Sequence, residues 1–167
     1  LRSVIDQYLL ENNCLAQNTI VAGGEQGVDP HNRGSGILPA HQTIVMDVFP
    51  RSIKSRYHAD MTRTVVKGNA TPEIKKIWHA VKEAQERAID QVKEGVNGQK
   101  IHEGIITYFE SKGFKSGNIN GRMQGFFHGT GHGLGLDIHE PPRVSKTPEI
   151  LKEGMVVTVE PGLYYSG

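Results

Sequence analysis

The sequence predicts an α/β domain in which amphipathic helices cover a sheet, and three observations indicate this fold class. Apolar residues recur at helical spacing from 72 to 94 and again from 101 to 112. Runs rich in β-branched residues, at 43–49 and 57–67, are typical of strands. A length of 167 residues with 37% hydrophobic content suffices for the core of one domain, residues 1–167.

The first elements are an amphipathic helix over residues 1–13 and a short strand over 19–22. The helix is predicted from apolar residues at helical spacing, namely Val4, Ile5, Tyr8 and Leu9. Two glycines end the strand, and a turn-rich loop that carries His31 follows it. Residues 43–49 then form a buried strand with Asp47 in its second half.

The later elements are a strand over residues 57–67, two helices and a final strand over residues 155–160. Thr71 and Pro72 supply a helix cap and a first helical residue. The longest helix is therefore predicted to begin there and to end at Gly95. Each of the two strands carries a carboxylate among β-branched or apolar neighbours.

Residues 127–142 contain three of the eight histidines, set among four alternating glycines. Such glycines allow close approach to other backbone, so we expect a buried strand or a closely packed loop. In an extended segment His128 and His132 share one face, and His139 lies on the other unless a bulge or bend intervenes. The dinucleotide pattern G-x-G-x-x-G and the zinc-protease pattern H-E-x-x-H both fail here. The histidines therefore indicate a metal or substrate site. The two failed patterns argue against a dinucleotide site and against the helix of a zinc protease.

Three carboxylates, those of Asp47, Asp60 and Glu160, lie in strands that are otherwise apolar or β-branched. Burying an unpaired carboxylate is costly, so each needs a cationic partner. Arg63 or a lysine is one candidate partner. Together with His132, the carboxylates would instead suit a divalent ion such as Mn, Co, Fe(II) or Zn. Because three carboxylates exceed the needs of one ion, this alternative predicts two ions about 3.5 to 4 Å apart with shared carboxylates.

The composition excludes several classes of protein. A net charge of +1 gives no electrostatic basis for binding nucleic acid or an anionic membrane, and no segment is apolar enough to span a bilayer. The single cysteine, Cys14, excludes an internal disulfide, and no secretory signal pattern is present. We therefore expect a cytoplasmic protein without nucleic-acid or membrane partners.

Five ordered motifs carry a resemblance to a known family. They are Asp47, residues 57–64 (Tyr-His-Ala-Asp-Met-Thr-Arg-Thr), 128–135 (His-Gly-Thr-Gly-His-Gly-Leu-Gly), 138–141 (Ile-His-Glu-Pro) and 159–164 (Val-Glu-Pro-Gly-Leu-Tyr). In this order they resemble the pita-bread metallopeptidases, which include methionine aminopeptidase, Xaa-Pro aminopeptidase and prolidase. The Asp-x-Thr-Arg-Thr and Glu-Pro-Gly-Leu-Tyr runs are more similar to the proline-directed branch. The resemblance implies a pita-bread fold, in which helices cover a curved antiparallel sheet.

The resemblance also implies a set of metal ligands. Asp47 would bind one divalent ion, Asp60 would bridge two, and His132 and Glu160 would hold the second. Mn is the expected metal, with Co, Zn or Fe as alternatives. The family's fifth ligand is a glutamate on a later strand, so we expect the chain to be incomplete at its C-terminus and inactive alone.

Further roles follow from the same resemblance. His31 resembles a catalytic and substrate-binding loop histidine, and His128 resembles a histidine of the proline-side pocket. His139 resembles the histidine that binds substrate and stabilises the tetrahedral intermediate. Glu160 resembles the carboxylate that shuttles the proton of the attacking water. One departure is the interval between the two aspartate ligands, which is longer than usual and would require a longer hairpin loop.

The function implied by the resemblance is that of a dinuclear aminopeptidase, which releases an N-terminal residue that precedes proline. A prolidase and a methionine aminopeptidase are the near alternatives. From another class, some pita-bread relatives have lost their metal ligands, so a catalytically silent module that binds peptides or proteins is a further alternative. The expected substrates are peptides with proline at the second position, and the expectation leaves room for a homodimer.

Overall fold

Three α-helices, one 3-10 helix (Gly24–Val28) and nine short strands make up the regular structure of residues 1–166, the part of the chain that the computed structural model describes. Every strand pair is antiparallel, and within these residues the strands form one three-stranded and three two-stranded sheets. The predicted combination of helices and strands is confirmed. None of the helices in this range has the length and hydropathy that a membrane-spanning segment requires.

One of the two units into which the backbone divides comprises Leu1–Ile74 and Leu134–Ile138. Its elements are α1 (Arg2–Glu11), β1 (Cys14–Leu15), β2 (Ile20–Gly23), β3 (Thr43–Val48), β4 (Arg51–Ser52) and β5 (Met61–Val66). Its largest sheet has the order β2-β3-β5. The buried apolar residues of β2 and β3 are Ile20, Val21, Ala22 and Ile44. Helix α1 forms where it was predicted, but it buries none of its residues fully.

A small hairpin accommodates the long interval between Asp47 and Asp60. Within it Arg51 bridges to His58, and the Ser52 N–H donates to the carbonyl of residue 57 at 2.9 Å. Arg56 adopts a positive φ of 66° at the turn. Because these residues fold back on themselves, β5 begins at Met61 and not at residue 57 as predicted.

The other unit comprises Lys75–Gly133 and His139–Ser166. Its elements are α2 (Pro72–Ile89, which begins in the preceding unit), α3 (Gly98–Ser111), β6 (Gly117–Ile119), β7 (Arg122–Gln124), β8 (Gly131–Gly133) and β9 (Glu140–Val144). Its core consists of buried side chains from the two helices and the segments around them, namely Ala80, Ala84, Ala88, Ile101, Ile105, Tyr108, Phe109, Phe126, Val144 and Leu151. The half-buried residues Val157 and Val159 pack against this core.

Helix α2 ends at Ile89 and does not continue to Gly95 as predicted. The N–H groups of Gln91 and Val92 bond to carbonyls three residues earlier, at 3.1 and 3.0 Å, so the chain tightens into turns. Gly95 has a positive φ of 81°, which favours glycine at this position. The Asn97 side chain then caps α3 by accepting a hydrogen bond from its first turn.

The prediction of a regular strand over residues 155–160 is wrong. This segment makes a single bridge, between Val157 and Gly133, although the Thr158 N–H also donates to the His132 carbonyl at 2.8 Å. Its partner β8 has only three residues, so the ladder stays short, and beyond it the Glu160 N–H bonds to the Thr130 carbonyl at 2.8 Å. The segment nonetheless lies beside β8.

A polar contact joins α2 and α3. The Tyr108 hydroxyl donates to Glu83 at 2.7 Å, and Arg87 donates to the same carboxylate at 2.8 Å. These hydrogen bonds, from Tyr108 first and Arg87 second, lower the pKa of Glu83. Burial and the bond to Glu83 raise the pKa of Tyr108 to about 12. The contact fixes α3 relative to α2 wherever Glu83 is ionised and Tyr108 is protonated.

Replacement of Gly131 by alanine is expected to lower the free energy of unfolding by about 1 to 3 kcal/mol, the usual cost of overpacking. A Cβ at this position would lie 1.9 Å from the Thr158 carbonyl oxygen, so backbone would have to move. Gly104→Ala is the matched control, because a Cβ in this part of α3 meets nothing within 4 Å. The control should stabilise the helix by about 0.5 to 1 kcal/mol. Urea unfolding tests both, and equal midpoints would contradict the close approach of the two backbones.

Candidate metal centre

Asp47 and Asp60 lie on neighbouring strands of the β2-β3-β5 sheet or at their ends. Asp47 stands on β3 opposite Thr62 of β5, whose hydroxyl donates to the Asp47 carboxylate at 2.9 Å. Asp60 directly precedes β5 and is half-buried, as is Asp47. Arg63, the predicted structural partner of these carboxylates, donates to the Thr62 carbonyl at 2.9 Å. The Thr62 bond orients one oxygen of the Asp47 carboxylate.

His132 and Glu160 come together in the unit that contains α3. His132 is only 6% exposed, and its Nε2 lies 3.1 Å from Glu160 Oε1. Its other nitrogen, Nδ1, lies 3.0 Å from the Gly133 carbonyl, so a proton on Nδ1 would make a hydrogen bond there. Thr158 links the two, since its hydroxyl donates to Glu160 at 3.2 Å and accepts from the His132 N–H at 3.1 Å.

His139 lies beside His132 despite its opposite position in the alternation. The centroids of the two rings are 4.4 Å apart, with planes at 82°. The chain bends over residues 135–139, between the two histidines, and this bend is the interruption that the alternation argument left open. His139 is exposed, whereas His132 is buried. An exposed imidazole next to a buried imidazole and a carboxylate is suited to contact a bound molecule.

His128 occupies an aromatic pocket in the same unit. Its Nε2 lies 3.1 Å from the Tyr164 hydroxyl, and its ring packs at 5.3 Å against Phe126. A cavity of about 350 Å³ borders His128, with Phe127 and Lys146 among its other lining residues. This volume lies at the lower end of the range for small-molecule sites.

The predicted site residue His31 belongs to the first unit. It is exposed and lies in the loop after β2, where its N–H donates to Asp29 at 2.9 Å.

Sequence reasoning did not assign roles to Thr158 and Tyr164, which contact Glu160 and His128. Both residues belong to the 155–164 segment, so their spacing from Glu160 was the available signal.

The His132 environment fits a metal ligand. Histidines that bind metals commonly donate their second ring N–H to a carbonyl or carboxylate, which fixes the tautomer and the direction of the ring. The Gly133 carbonyl is in place to do this for Nδ1. The opposite nitrogen faces a carboxylate oxygen at 3.1 Å, and this pairing of donors suits borderline divalent ions.

The chain belongs to a family of metal-dependent peptidases: the profile of metallopeptidase family M24 matches residues 1–167. Its relatives include the Xaa-Pro dipeptidase of Pyrococcus furiosus, 34% identical over 163 residues, or 95% of this chain and 44% of the relative. They also include Xaa-Pro aminopeptidase 2 of Streptomyces coelicolor, 34% identical over 172 residues, or 93% of this chain and 36% of the relative. The chain thus spans less than half the length of these relatives.

Solved structures agree with this assignment. The X-Pro aminopeptidase of Thermotoga maritima matches with a TM-score of 0.88 and 32% identity, over 99% of this chain and 45% of that one. The prolidase from Pyrococcus furiosus matches with a TM-score of 0.88 and 32% identity, over 98% of this chain and 47% of that one. The predicted pita-bread fold is confirmed.

Proposed function

We propose that the protein is a dinuclear metal-dependent aminopeptidase that releases an N-terminal residue preceding proline. The observation that carries this proposal is the contact of 3.1 Å between His132 and Glu160, with the Gly133 carbonyl positioned to fix the imidazole. A buried imidazole and a carboxylate arranged in this way suit a divalent metal ligand pair. The names of the relatives, which include Xaa-Pro aminopeptidases, support the substrate class.

The proposed ligand set is Asp47, Asp60, His132 and Glu160. Asp47 would hold one ion, Asp60 would bridge two, and the other two residues would hold the second. Mn is the proposed metal, with Co, Zn or Fe(II) as alternatives, because the donors are mostly oxygen with one imidazole. Bound divalent ions would lower the pKa of a water molecule and so supply the nucleophile.

The remaining roles belong to side chains of this chain. Glu160 takes the proton of the attacking water and passes it to the departing amine. His139, exposed beside His132, donates a hydrogen bond to the oxygen on which negative charge develops. His128 and the adjoining cavity receive the proline side of the peptide. His31 contacts the substrate from its loop.

A dipeptidase is the second candidate, and the Pyrococcus relatives named Xaa-Pro dipeptidase favour it. The two activities differ in whether a residue after proline is accepted. We also propose a cytoplasmic location and a homodimer, which fractionation and sedimentation would test. A catalytically silent binding module is the alternative from another class, and it predicts no tight uptake of metal.

Metal dependence and peptide length test the proposal in the full-length protein. After metal removal, turnover of Ala-Pro-Ala should be lost, and Mn or Co should restore it with about two ions bound per site. Cleavage of the dipeptide Ala-Pro but not of Ala-Pro-Ala would indicate a dipeptidase. Release of methionine without Xaa-Pro cleavage would select the other branch of the family. Full activity without metal would contradict the proposed mechanism, and lack of metal uptake would favour the silent module.

A further inference from the structure

The peptide unit between Val159 and Glu160 is held at both of its polar ends. The Glu160 N–H donates to the Thr130 carbonyl at 2.8 Å. The Val159 carbonyl accepts a hydrogen bond from Gln85 Nε2 at 2.7 Å. Because a peptide unit is planar, fixing its C=O and its N–H fixes the plane from which the Glu160 backbone continues. These two bonds therefore constrain the backbone from which the Glu160 side chain departs.

Gln85 reaches this carbonyl from α2. It follows Ala84, which is fully buried in the core, so Gln85 lies at the border of the buried face of the helix. Val159 itself packs against that core. The side chain thus bridges 74 positions of sequence to bond to backbone. A glutamine amide supplies the N–H donor that an apolar residue at this border would lack.

The other bond depends on Thr130, which is fixed from α3. Thr130 is fully buried, and its N–H donates to the Val144 carbonyl at 2.7 Å. Its hydroxyl lies 2.9 Å from Nδ1 of His102, a residue that is 7% exposed. Burial, and next the nearby charge of His128, lower the pKa of His102. A neutral imidazole here bonds to the threonine hydroxyl without placing a charge in the core.

We propose that Gln85, and His102 through Thr130, are positioning residues that hold Glu160 in the direction in which it meets His132. What Glu160 then does rests on the proposed function. Of the two positioning residues, His102 also lines the cavity proposed for the proline side of the peptide, but the role proposed here runs through its contact with Thr130. They act through the backbone of the Val159–Glu160 peptide unit, so their loss should alter the geometry of Glu160 more than the stability of the fold.

The Gln85→Met variant tests the first bond, because methionine keeps the length of the side chain and removes the donor. Gln91→Met is the matched control: Gln91 is exposed and donates to the Arg87 carbonyl at 2.8 Å in its own helical turn. Removing a group that supports a metal ligand typically lowers metal affinity or activity about 10- to 100-fold. We expect this loss for Mn affinity and kcat, with KM changed less, in Gln85→Met alone.

Variants of Thr130 test the contact between its hydroxyl and His102. Thr130→Ser keeps the hydroxyl that meets His102 and should retain Mn affinity and kcat close to wild type. Thr130→Val keeps the shape, loses the hydroxyl and should behave like Gln85→Met. Thr107→Val is its control, since the Thr107 hydroxyl is exposed and donates to the Glu103 carbonyl at 3.0 Å. Equal values for the Ser and Val variants would overturn the role of His102.

Amide hydrogen exchange at Glu160 separates this inference from the proposed function. Gln85→Met removes the bond to the Val159 carbonyl, at the other end of the same peptide unit, and should thereby lower the protection of the Glu160 amide about two- to tenfold, with no change in Gln91→Met. If the wild-type protein neither binds Mn nor cleaves peptides, the proposed function fails, yet the exchange result still decides whether Gln85 holds Glu160. Unchanged protection would overturn the inference. Where the wild-type protein binds Mn and cleaves peptides, Mn affinity and kcat equal to those of Gln91→Met would overturn it as well.

Discussion

Substitution of glutamine for Glu160 is expected to lower peptide turnover by about 10²- to 10⁴-fold, the usual contribution of a positioned acid or base. The amide keeps the size of the side chain and one oxygen, but it cannot take up and release a proton. It also removes the charge that faces His132 Nε2 at 3.1 Å. The prediction thus joins the two proposed roles of this residue, ligand and proton carrier.

Turnover of an Xaa-Pro tripeptide and calorimetric titration with Mn measure the two roles separately. Glu153→Gln is the control, because this exposed carboxylate undergoes the same chemical change in a loop of the same unit. Turnover within a few fold of wild type at saturating Mn would exclude Glu160 as the proton carrier. Weaker Mn binding with full turnover at saturating Mn would mean that Glu160 is a metal ligand and not the proton carrier.

The fold could be predicted from the sequence wherever local pattern decides structure. Helix α3 was expected from its apolar spacing, and β3 from a β-branched run, and both form. The failures occur where partners decide. Residues 155–160 have the composition of a strand, but their partner β8 has only three residues and makes a single bridge to them. Helix α2 ends before Gly95 because the N–H groups of Gln91 and Val92 bond to carbonyls three residues earlier and form turns.

The candidate site divides in the same way. The residue types and spacing around His132 and Glu160 indicated a shared site, and the structure places the two side chains 3.1 Å apart. No local sequence pattern indicated a role for Gln85. Its partner, the Val159 carbonyl, lies 74 positions away, and its position on α2 resembles that of any half-buried polar residue. Likewise, the alternation of side chains could not decide the position of His139, because the chain bends over residues 135–139 and is not extended there.

Loss of the His139 imidazole is the second large effect, and it separates catalysis from metal binding. Removal of one preorganised donor to a developing oxyanion typically lowers turnover about 10²- to 10³-fold. His139 is exposed and lies against the His132 ring, a position from which it can reach a bound peptide. His139→Ala should therefore lower kcat by this factor while Mn content stays at the wild-type value.

The control for this variant is His79→Ala, because His79 is an exposed histidine on α2 whose ring contacts Trp78. It should leave both kcat and Mn content unchanged. A smaller His139 side chain also removes a ring from beside His132, so metal content must be measured in the same preparation. If His139→Ala loses metal in proportion to its loss of turnover, His139 supports the metal site itself, and the division of labour between these two histidines is wrong.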